Sequence, residues 1–384
     1  MKYLLALLAL FAFVACSDDD PRGVDLSRPV RFDPAAPPAQ KLSEHNLFAW
    51  DPTTGTFTYN DRVVPYELNT ELFTDYAWKA RAIYVPEGES GAFHPKDAFD
   101  FPVGTLILKN FYYPDDFRDP TTYRLVETRL LVHTPNGWQG RPYIWDEDGK
   151  DAEYAPAGEV RPISFVYVDG KTKTSTYLVP QQNQCQQCHL LKDPETGKNY
   201  QTPIGPKARH LNRDYDFGGE IGVRNQLEVL AEVGFLTGVP SDLSEVEKAF
   251  DFREIAEHGH AHLDDEALNK AARDYLDINC AHCHNPNGVQ GITSNLFLNY
   301  DNTSAFNLGI CKPPGSAGQG AGGRKYDIVP GYPDLSILNY RIESTDPAAM
   351  MPLIARSLEH EEATALIRSW VESLPIAEDC APKE

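Results

Sequence analysis

The stretch Cys280-Ala281-His282-Cys283-His284 carries the most specific chemical signal in this 384-residue chain. Two cysteines separated by two residues and followed at once by a histidine form the attachment pattern of a c-type haem. Each thiol forms a thioether with a haem vinyl group, and His284 is placed to coordinate the iron. A second copy, Cys185-Gln186-Gln187-Cys188-His189, lies upstream. The sequence therefore predicts two covalently bound haem c groups, with a zinc or thiol site as the alternative use of the same residues.

The segment around the second motif, residues 263–384, has the pattern of a small, mainly α-helical domain. Asp264-Asp265 can cap a helix, and the apolar stripe after this pair predicts a helix over residues 266–279 that leads directly into Cys280. A last helix is predicted over residues 359–374, and a proline ends it. These helices and the motif together predict a mainly α cytochrome c domain.

Residues 45–180 have a β pattern instead. Residues 105–113 and 123–133 are rich in β-branched and aromatic residues, and the pair Asp169-Gly170 predicts a hairpin. The prolines at positions 65, 86, 102, 120, 142, 155 and 162 are expected between strands rather than inside them. We expect an all-β sandwich or open barrel of about eight to ten strands.

The chain is therefore predicted to be an α+β protein of several domains. Its expected parts are a signal peptide at residues 1–16, a tether at 17–44, the β domain at 45–180, an irregular haem segment at 181–262 and the cytochrome c-like domain at 263–384. The irregular segment carries the first motif directly after a strand, without an amphipathic helix before it.

The N-terminus and the charge indicate an exported protein. An apolar run over residues 4–14 is too short to span a bilayer, and it ends in Phe13-Val14-Ala15-Cys16, which resembles a bacterial lipobox. Cys16 would then be the lipidated membrane anchor. Ordinary secretory cleavage is the alternative, because Phe13 replaces the usual aliphatic residue. The formal net charge of -21 argues against a nucleic-acid partner. We expect a location in the periplasm or at the outer membrane or cell surface.

The seven cysteines divide into three groups. One is the predicted lipidation site, four belong to the two motifs, and Cys311 and Cys380 remain. In an oxidising compartment these two are expected to form a disulfide, with two free thiols as the alternative.

The second haem has a candidate sixth ligand, because the two methionines after Met1 are adjacent. A thioether opposite the histidine raises the reduction potential of an electron-carrying haem. Met351, directly before a proline, is the predicted ligand, and Met350 is the alternative; core filling is the non-functional role for both. Arg341 is predicted to bind a haem propionate, with a surface salt bridge as the alternative.

The first haem lacks a nearby methionine. His210, the nearest downstream histidine, is the predicted sixth ligand, and an open or weakly held position is the alternative. The histidines within residues 258–262 are a third possibility, unless they form a metal-binding loop or a polar linker.

Several stretches resemble a family of exported dihaem c-type cytochromes whose physiological role is undefined. They are VPYELNTELFTDY at 64–76, DFPVGT at 100–105, QCQQCH at 184–189, IGPKAR at 204–209, NCAHCHNP at 279–286, DIVPG at 327–331 and MMP at 350–352. The resemblance covers most of the chain after the tether, and the C-terminal third is also similar to cytochrome c domains of larger redox proteins. It implies electron transfer with redox protein partners and does not supply a substrate.

Three functions are compatible with these signals. The first is a lipid-anchored dihaem electron carrier between redox proteins. The second is a dihaem oxidoreductase with peroxidase-like logic, in which an open first haem reacts and the His/Met haem supplies it with electrons. The third is a binding module, with the β domain as receptor. The missing methionine near the first motif motivates the second function.

Overall fold

The structure is a computed structural model that describes residues 24–289 and 294–382. The predicted signal peptide, the lipidation site at Cys16 and the first part of the predicted tether lie outside the described residues. Within the described part of the chain, no helix is long and apolar enough to cross a membrane.

The N-terminal half of the described chain is mainly β. Its strands are β1 Phe48–Asp51, β2 Thr56–Tyr59, β3 Val63–Tyr66, β4 Trp78–Tyr84, β5 Gly91–Ala92, β6 Leu106–Pro114, β7 Tyr123–Thr134, β8 Gly137–Trp145, β9 Ala152–Tyr154, β10 Glu159–Val166 and β11 Thr172–Val179. Six strands form one antiparallel sheet in the order β3-β4-β6-β7-β8-β9. The pairs β1–β2 and β10–β11 are separate hairpins. The region predicted to be a β sandwich or open barrel is therefore one six-stranded antiparallel sheet with two hairpins packed on it.

The two faces of the six-stranded sheet are covered by different parts of the chain. On one face, Trp50 of the β1–β2 hairpin and Leu108 belong to the same apolar core. The other face carries two separate apolar clusters. Ile107 belongs to a cluster with the segment that follows the sheet, and Phe111 to a cluster with the β10–β11 hairpin. Because side chains alternate along a strand, Lys109 lies on the same face between these clusters.

The expectation that prolines lie between the strands is wrong at three positions, Pro65, Pro142 and Pro162. Pro65 is on the edge strand β3, and Pro162 is in a two-stranded hairpin, so each can face away from the ladder. Pro142 pairs with Arg129, while β9 pairs only with the three residues of β8 that follow the proline. Each proline thus lies where a strand has one unpaired edge.

The chain after residue 180 contains short strand pairs and most of the helices. The further strands are β12 Leu190–Lys192, β13 Asn199–Gln201, β14 Asp214–Asp216, β15 Val223–Asn225 and β16 Leu236–Thr237. The helices are α1 Gln186–His189, α2 Ala208–Leu211, α3 Gln226–Glu232, α4 Arg253–His258, α5 Asp265–Asn279, α6 Ala305–Leu308, α7 Ile337–Glu343 and α8 Glu361–Ser373. Strand β16 pairs in parallel with β5 and so attaches this region to the β region. A mixed α+β class is confirmed.

Helix α5 is the long helix that the sequence predicts before Cys280. The side chain of Asp264 caps it by accepting a hydrogen bond from the backbone N–H of Ala267 at 2.9 Å. The last helix, α8, packs against α5 and buries Trp370, whose indole N–H donates to Asn269 at 3.0 Å. Both helix predictions are confirmed apart from their end residues.

The segment expected to be a free tether contacts the β region from residue 24 onward. Val30 and Phe32 pack against the core beneath the β1–β2 hairpin. The side-chain amides of Asn46 and Asn60 donate to the Arg28 carbonyl at 2.8 and 2.7 Å. The tether prediction therefore does not hold for residues 24–44, because apolar side chains in this segment bury against the hairpin and the sheet.

A disulfide joins Cys311 to Cys380, as the cysteine count predicts, with Cα atoms 5.3 Å apart. It links positions separated by 69 residues, so the chain-entropy model assigns it roughly 4 kcal/mol of stabilisation. Ile310, next to Cys311, forms an isolated β-bridge with Ile328. The disulfide therefore joins the end of the described chain to the segment that contains this β-bridge.

One buried carboxylate joins the β region to the segment after Pro352. Asp75, in the loop before β4, is 1% exposed. Its carboxylate accepts hydrogen bonds from the backbone N–H groups of Ser357 and Leu358 at 2.7 and 2.9 Å. The hydroxyl of Ser175 on β11 donates to the same carboxylate. Asp75 therefore holds three distant parts of the chain together.

Replacing Asp75 by Ala is expected to lower the free energy of unfolding by about 2–4 kcal/mol, because buried backbone donors lose their acceptor. Urea denaturation followed by circular dichroism measures the change. The control is Asp148→Ala, which removes an exposed carboxylate paired with Lys150 and is expected to cost less than about 0.5 kcal/mol. Equal stability of the two variants would contradict the role of Asp75.

Candidate functional site

The first cysteine motif follows the sheet directly. Strand β11 ends at Val179, and the chain passes through a 3-10 helix, Gln182–Cys185, into the single turn of α1. The sulfur of Cys185 lies over the backbone of Gly140 on β8, where an added Cβ atom would come within 2.5 Å of Sγ. Glycine at position 140 therefore allows the motif to contact the sheet directly.

The ring of His189 is oriented by a backbone carbonyl. Its Nδ1 atom lies 2.7 Å from the carbonyl oxygen of Thr202, and because a carbonyl only accepts, Nδ1 carries the proton. Nε2 is then the nitrogen with a lone pair, which is the usual arrangement of a metal-binding histidine. Burial lowers the pKa of His189, so the ring is neutral at neutral pH.

A cavity lies between this motif and the sheet, with about 990 Å³ of empty space including its mouth. We call it the first cavity. Cys185, Cys188 and His189 line one side, Lys109 lies on the sheet side, and Ile354 contributes from the C-terminal region. Its size is that of a cofactor or ligand site.

Helix α5 positions the second motif. After Cys280 the chain turns back, and the backbone N–H of His284 donates to the Cys280 carbonyl at 2.9 Å. An added Cβ at Gly288 would lie 2.1 Å from the Cys283 carbonyl oxygen, so this turn needs glycine. Burial lowers the pKa of His284 to about 4. The imidazole is therefore neutral at neutral pH, which is the form that binds a metal.

A second cavity, with about 1320 Å³ of empty space including its mouth, lies beside this motif. Cys280, Cys283 and His284 line one side of it. Met351 and Arg341 line it as well, from the segment after α7 and from α7 itself. The structure thus brings the predicted residues of the second site around one space.

The structure separates the two adjacent methionines. Met351 lines the second cavity, whereas Met350 is not among the lining residues and is 8% exposed. The backbone N–H of Met350 donates to the Asp346 carbonyl at 2.8 Å, and that of Met351 donates to the Arg341 carbonyl at 2.9 Å. Of the two candidates, Met351 is the one that shares a cavity with His284.

Arg341 presents its guanidinium to the second cavity. Its Nε donates to the Ala349 carbonyl at 3.0 Å, which fixes the side chain. An added Cβ at Gly320 would lie 2.9 Å from the guanidinium carbon, so glycine at 320 makes room for the group. Burial lowers the pKa of Arg341, which nevertheless stays a cation.

The two motifs are in contact with each other. The Cys283 thiol donates to the Gln187 carbonyl at 3.2 Å. The ligand atoms of Cys188, His282 and Cys283 all lie within 4.8 Å of one another. Cys188 lines both cavities. Ile354 lines both cavities as well, so the two cavities adjoin at Cys188 and Ile354.

The four motif cysteines are free thiols in the structure. Burial raises the pKa of Cys185, and it raises that of Cys280 to about 12. The hydrogen bond between Cys188 and Cys283 lowers the pKa of the first and raises that of the second. Cys185 and Cys280 are therefore protonated at neutral pH, so they are not reactive thiolates.

The structure does not bring His210 to the first cavity. His210 is fully buried on α2, and its Nε2 lies 3.5 Å from the Asp277 carboxylate on α5. The histidines at 258–262 are also elsewhere: His260 contacts the Ser369 hydroxyl at 2.8 Å and His262 contacts Glu254 at 2.8 Å. His210 is held away from the first cavity because α2 packs against the face of α5 that carries Asp277.

Sequence reasoning missed a row of cations on the sheet face of the first cavity. Arg81, Lys109 and Arg129 all line this cavity, from β4, β6 and β7. Burial, and then the neighbouring cations, hold the pKa of Lys109 well below its ordinary value. In the sequence, each of these cations is a single charge inside an otherwise apolar strand. Only the strand register shows that the three side chains are neighbours.

Comparison with protein-family models, with curated proteins and with solved structures finds no match for this chain.

Proposed function

We propose that this chain is an exported electron-transfer protein that carries two covalently bound haem c groups in adjoining cavities. The observation that carries the proposal is the pair of cysteine–histidine motifs, each lining a cavity of cofactor size and both meeting at Cys188. A bound haem c supplies a reversible one-electron iron couple.

The second cavity fits a haem with histidine and methionine ligands. His284 is half-buried and neutral, and Met351, from the segment after α7, lines the same cavity. Cys280 and Cys283 would form the two thioethers, and the guanidinium of Arg341 would bind a propionate. The helix before Cys280 and the packing of α8 on it support a class I-like cytochrome c domain.

The first cavity fits a second haem attached at Cys185 and Cys188. His189 has its Nε2 lone pair free because Nδ1 is bound to the Thr202 carbonyl. Gly140 allows the sulfur of Cys185 to approach the sheet, which leaves the cavity side of the motif open. These features support His189 as the iron ligand of the first haem.

The contact between the motifs supports electron transfer within the molecule. Because Cys188 and Cys283 are neighbours, the two groups would be attached to the chain at adjacent points. An acidic, exported chain with a lipid anchor at Cys16 would then exchange electrons with redox proteins in the periplasm or at the cell surface. Nucleic acid is not expected among its partners.

A metal ion is the competing occupant of the junction. Cys188, His282 and Cys283 could hold one ion through two sulfurs and one nitrogen. This use excludes thioether formation by the same two sulfurs. The covalent mass of the protein therefore separates the two proposals.

Purified from a host with the haem c attachment machinery, the protein is expected to contain two haem c per chain by the pyridine haemochrome assay. Cys185→Ala with Cys188→Ala should remove one haem, and Cys280→Ala with Cys283→Ala the other, because each pair supplies the thioethers of one group. Intact mass spectrometry measures the attached mass. The control, Cys311→Ala with Cys380→Ala, should retain both. A wild-type mass without haem, with bound zinc instead, would refute the proposal.

Met351→Leu is expected to lower the reduction potential of one haem and to abolish its sulfur-to-iron absorption band, because the thioether ligand is lost. Redox titration and optical spectra of the oxidised protein provide the measurement. Met350→Leu is the matched control, since the neighbouring side chain does not line the cavity. If M350L loses the band and M351L keeps it, the assignment of the ligand is wrong.

A second candidate function, an oxidoreductase acting at the first haem, is favoured by one observation. Among the described residues that line the first cavity, His189 is the sole histidine, and methionine is absent. A haem without a strong sixth ligand has room for a small substrate, as in haem enzymes with an open distal pocket.

Electron paramagnetic resonance of the oxidised protein separates the two functions. Electron transfer alone predicts two low-spin signals that hydrogen peroxide leaves unchanged, because both irons keep two strong ligands. A high-spin signal that disappears on addition of peroxide is expected only if the first haem reacts. Cys185→Ala with Cys188→Ala is the control, since it should remove that signal alone.

A further inference from the structure

Three cations form a row across the sheet beneath the first cavity. Arg81 on β4 is directly opposite Lys109 on β6, and Lys109 is directly opposite Arg129 on β7. Like charges in directly opposite positions destabilise a sheet. A fourth cation, Lys79, precedes Arg81 by two residues and lies on the same face. Such a row needs negative charge nearby to be tolerated.

The described residues supply only part of that negative charge. Glu71 pairs with Arg81 at 2.8 Å and with Lys79 at 3.7 Å, and Glu127 pairs with Arg129 at 2.6 Å. Four basic side chains therefore face two carboxylates, which leaves two basic groups in excess, and an anion beside Lys109 would favour its charged form. The Arg81 and Lys79 side chains are buried, at 3% and 5% exposed, whereas Lys109 is half-buried and the Arg129 side chain is 26% exposed.

The basic groups that lack a carboxylate partner line the first cavity. Among the described residues, Lys109 has neither a hydrogen-bond partner nor an ion pair, and it lines the cavity. The Nη2 atom of Arg81 is also buried without a partner. Both side chains belong to a cavity whose other side carries Cys185 and His189. The cavity therefore presents basic side chains that can bind carboxylate or other anionic oxygens.

We infer that Lys109, Arg81 and Arg129 bind the two propionate groups of the haem attached at Cys185 and Cys188. The inference rests on the proposed function, because it needs a haem in this cavity. The charges match, since a haem brings two carboxylates and the row has two positive charges in excess. A free oxyanion shares this chemistry, and the experiment below distinguishes the two sources.

The test uses the haem-loaded protein and the variants Lys109→Gln and Lys109→Arg, with Lys171→Gln, at an exposed hairpin position, as the control. Removing the Lys109 charge should disfavour the reduced iron at the first site. The ratio of reduced to oxidised first haem at a fixed potential should fall about tenfold, a shift of about 59 mV for one electron. K109R should restore the native potential, and K171Q should retain it. If K109Q does not attach the first haem, Arg129→Gln is measured in its place.

Three results would overturn the inference. The first is an unchanged potential of the first haem in K109Q. The second is conversion of that haem from low spin to high spin in K109Q, which would make the Lys109 amine an iron ligand. The third is a spectral shift of the first haem on adding inorganic phosphate to the native protein but not to K109Q, which would assign the cations to a free anion. Absence of any haem at Cys185 and Cys188 in the native protein would instead refute the proposed function.

Discussion

The buried ion pair between Arg209 on α2 and Asp274 on α5 is the interaction on which the placement of both motifs depends. The Asp274 side chain is fully buried, and one turn further Asp277 lies 3.5 Å from both Lys207 and Arg209. Asp274 also lies 3.4 Å from Lys270, so removing Arg209 would leave the two buried carboxylates with weaker compensation and would destabilise this contact. Because α5 leads directly into Cys280, fixing it to α2 also fixes the second motif against the segment that carries the first.

The β region is part of the same arrangement rather than an independent module. The side chain of Asn279 accepts a hydrogen bond from the Phe73 N–H at 2.8 Å and donates one to the Glu71 carbonyl at 3.1 Å. These two hydrogen bonds attach the loop before β4 to the end of α5. Asp75, from the same loop, holds the segment that follows Met351. One loop of the β region therefore positions both sides of the second cavity, while the sheet itself forms a wall of the first.

How much could be predicted differs between the two sites for a physical reason. The second site depends on local signals, since Asp264 caps the helix that leads into the motif and Met351 directly precedes a proline. The sequence therefore predicted the residues that the structure gathers there. The first site depends on strand register. In the sequence, Lys109 is a single charge in an apolar strand. It becomes part of a row of cations only because the strand register places Arg81 and Arg129 opposite it. Such non-local neighbours cannot be read from periodicity.

The cations at the first cavity also affect the stability of the folded chain. A sheet that buries adjacent cations without equal negative charge is less stable than one with neutral side chains at those positions. An anionic group bound in the cavity would offset that cost, and anything that binds the folded state selectively stabilises it. The second cavity has a smaller excess, because Asp327 pairs with Lys312 at 2.9 Å and, among the described residues, Arg341 is the one cation that lines this cavity without an ion pair. Occupation of the first cavity should therefore matter more to the stability of the β region than occupation of the second matters to the helical region.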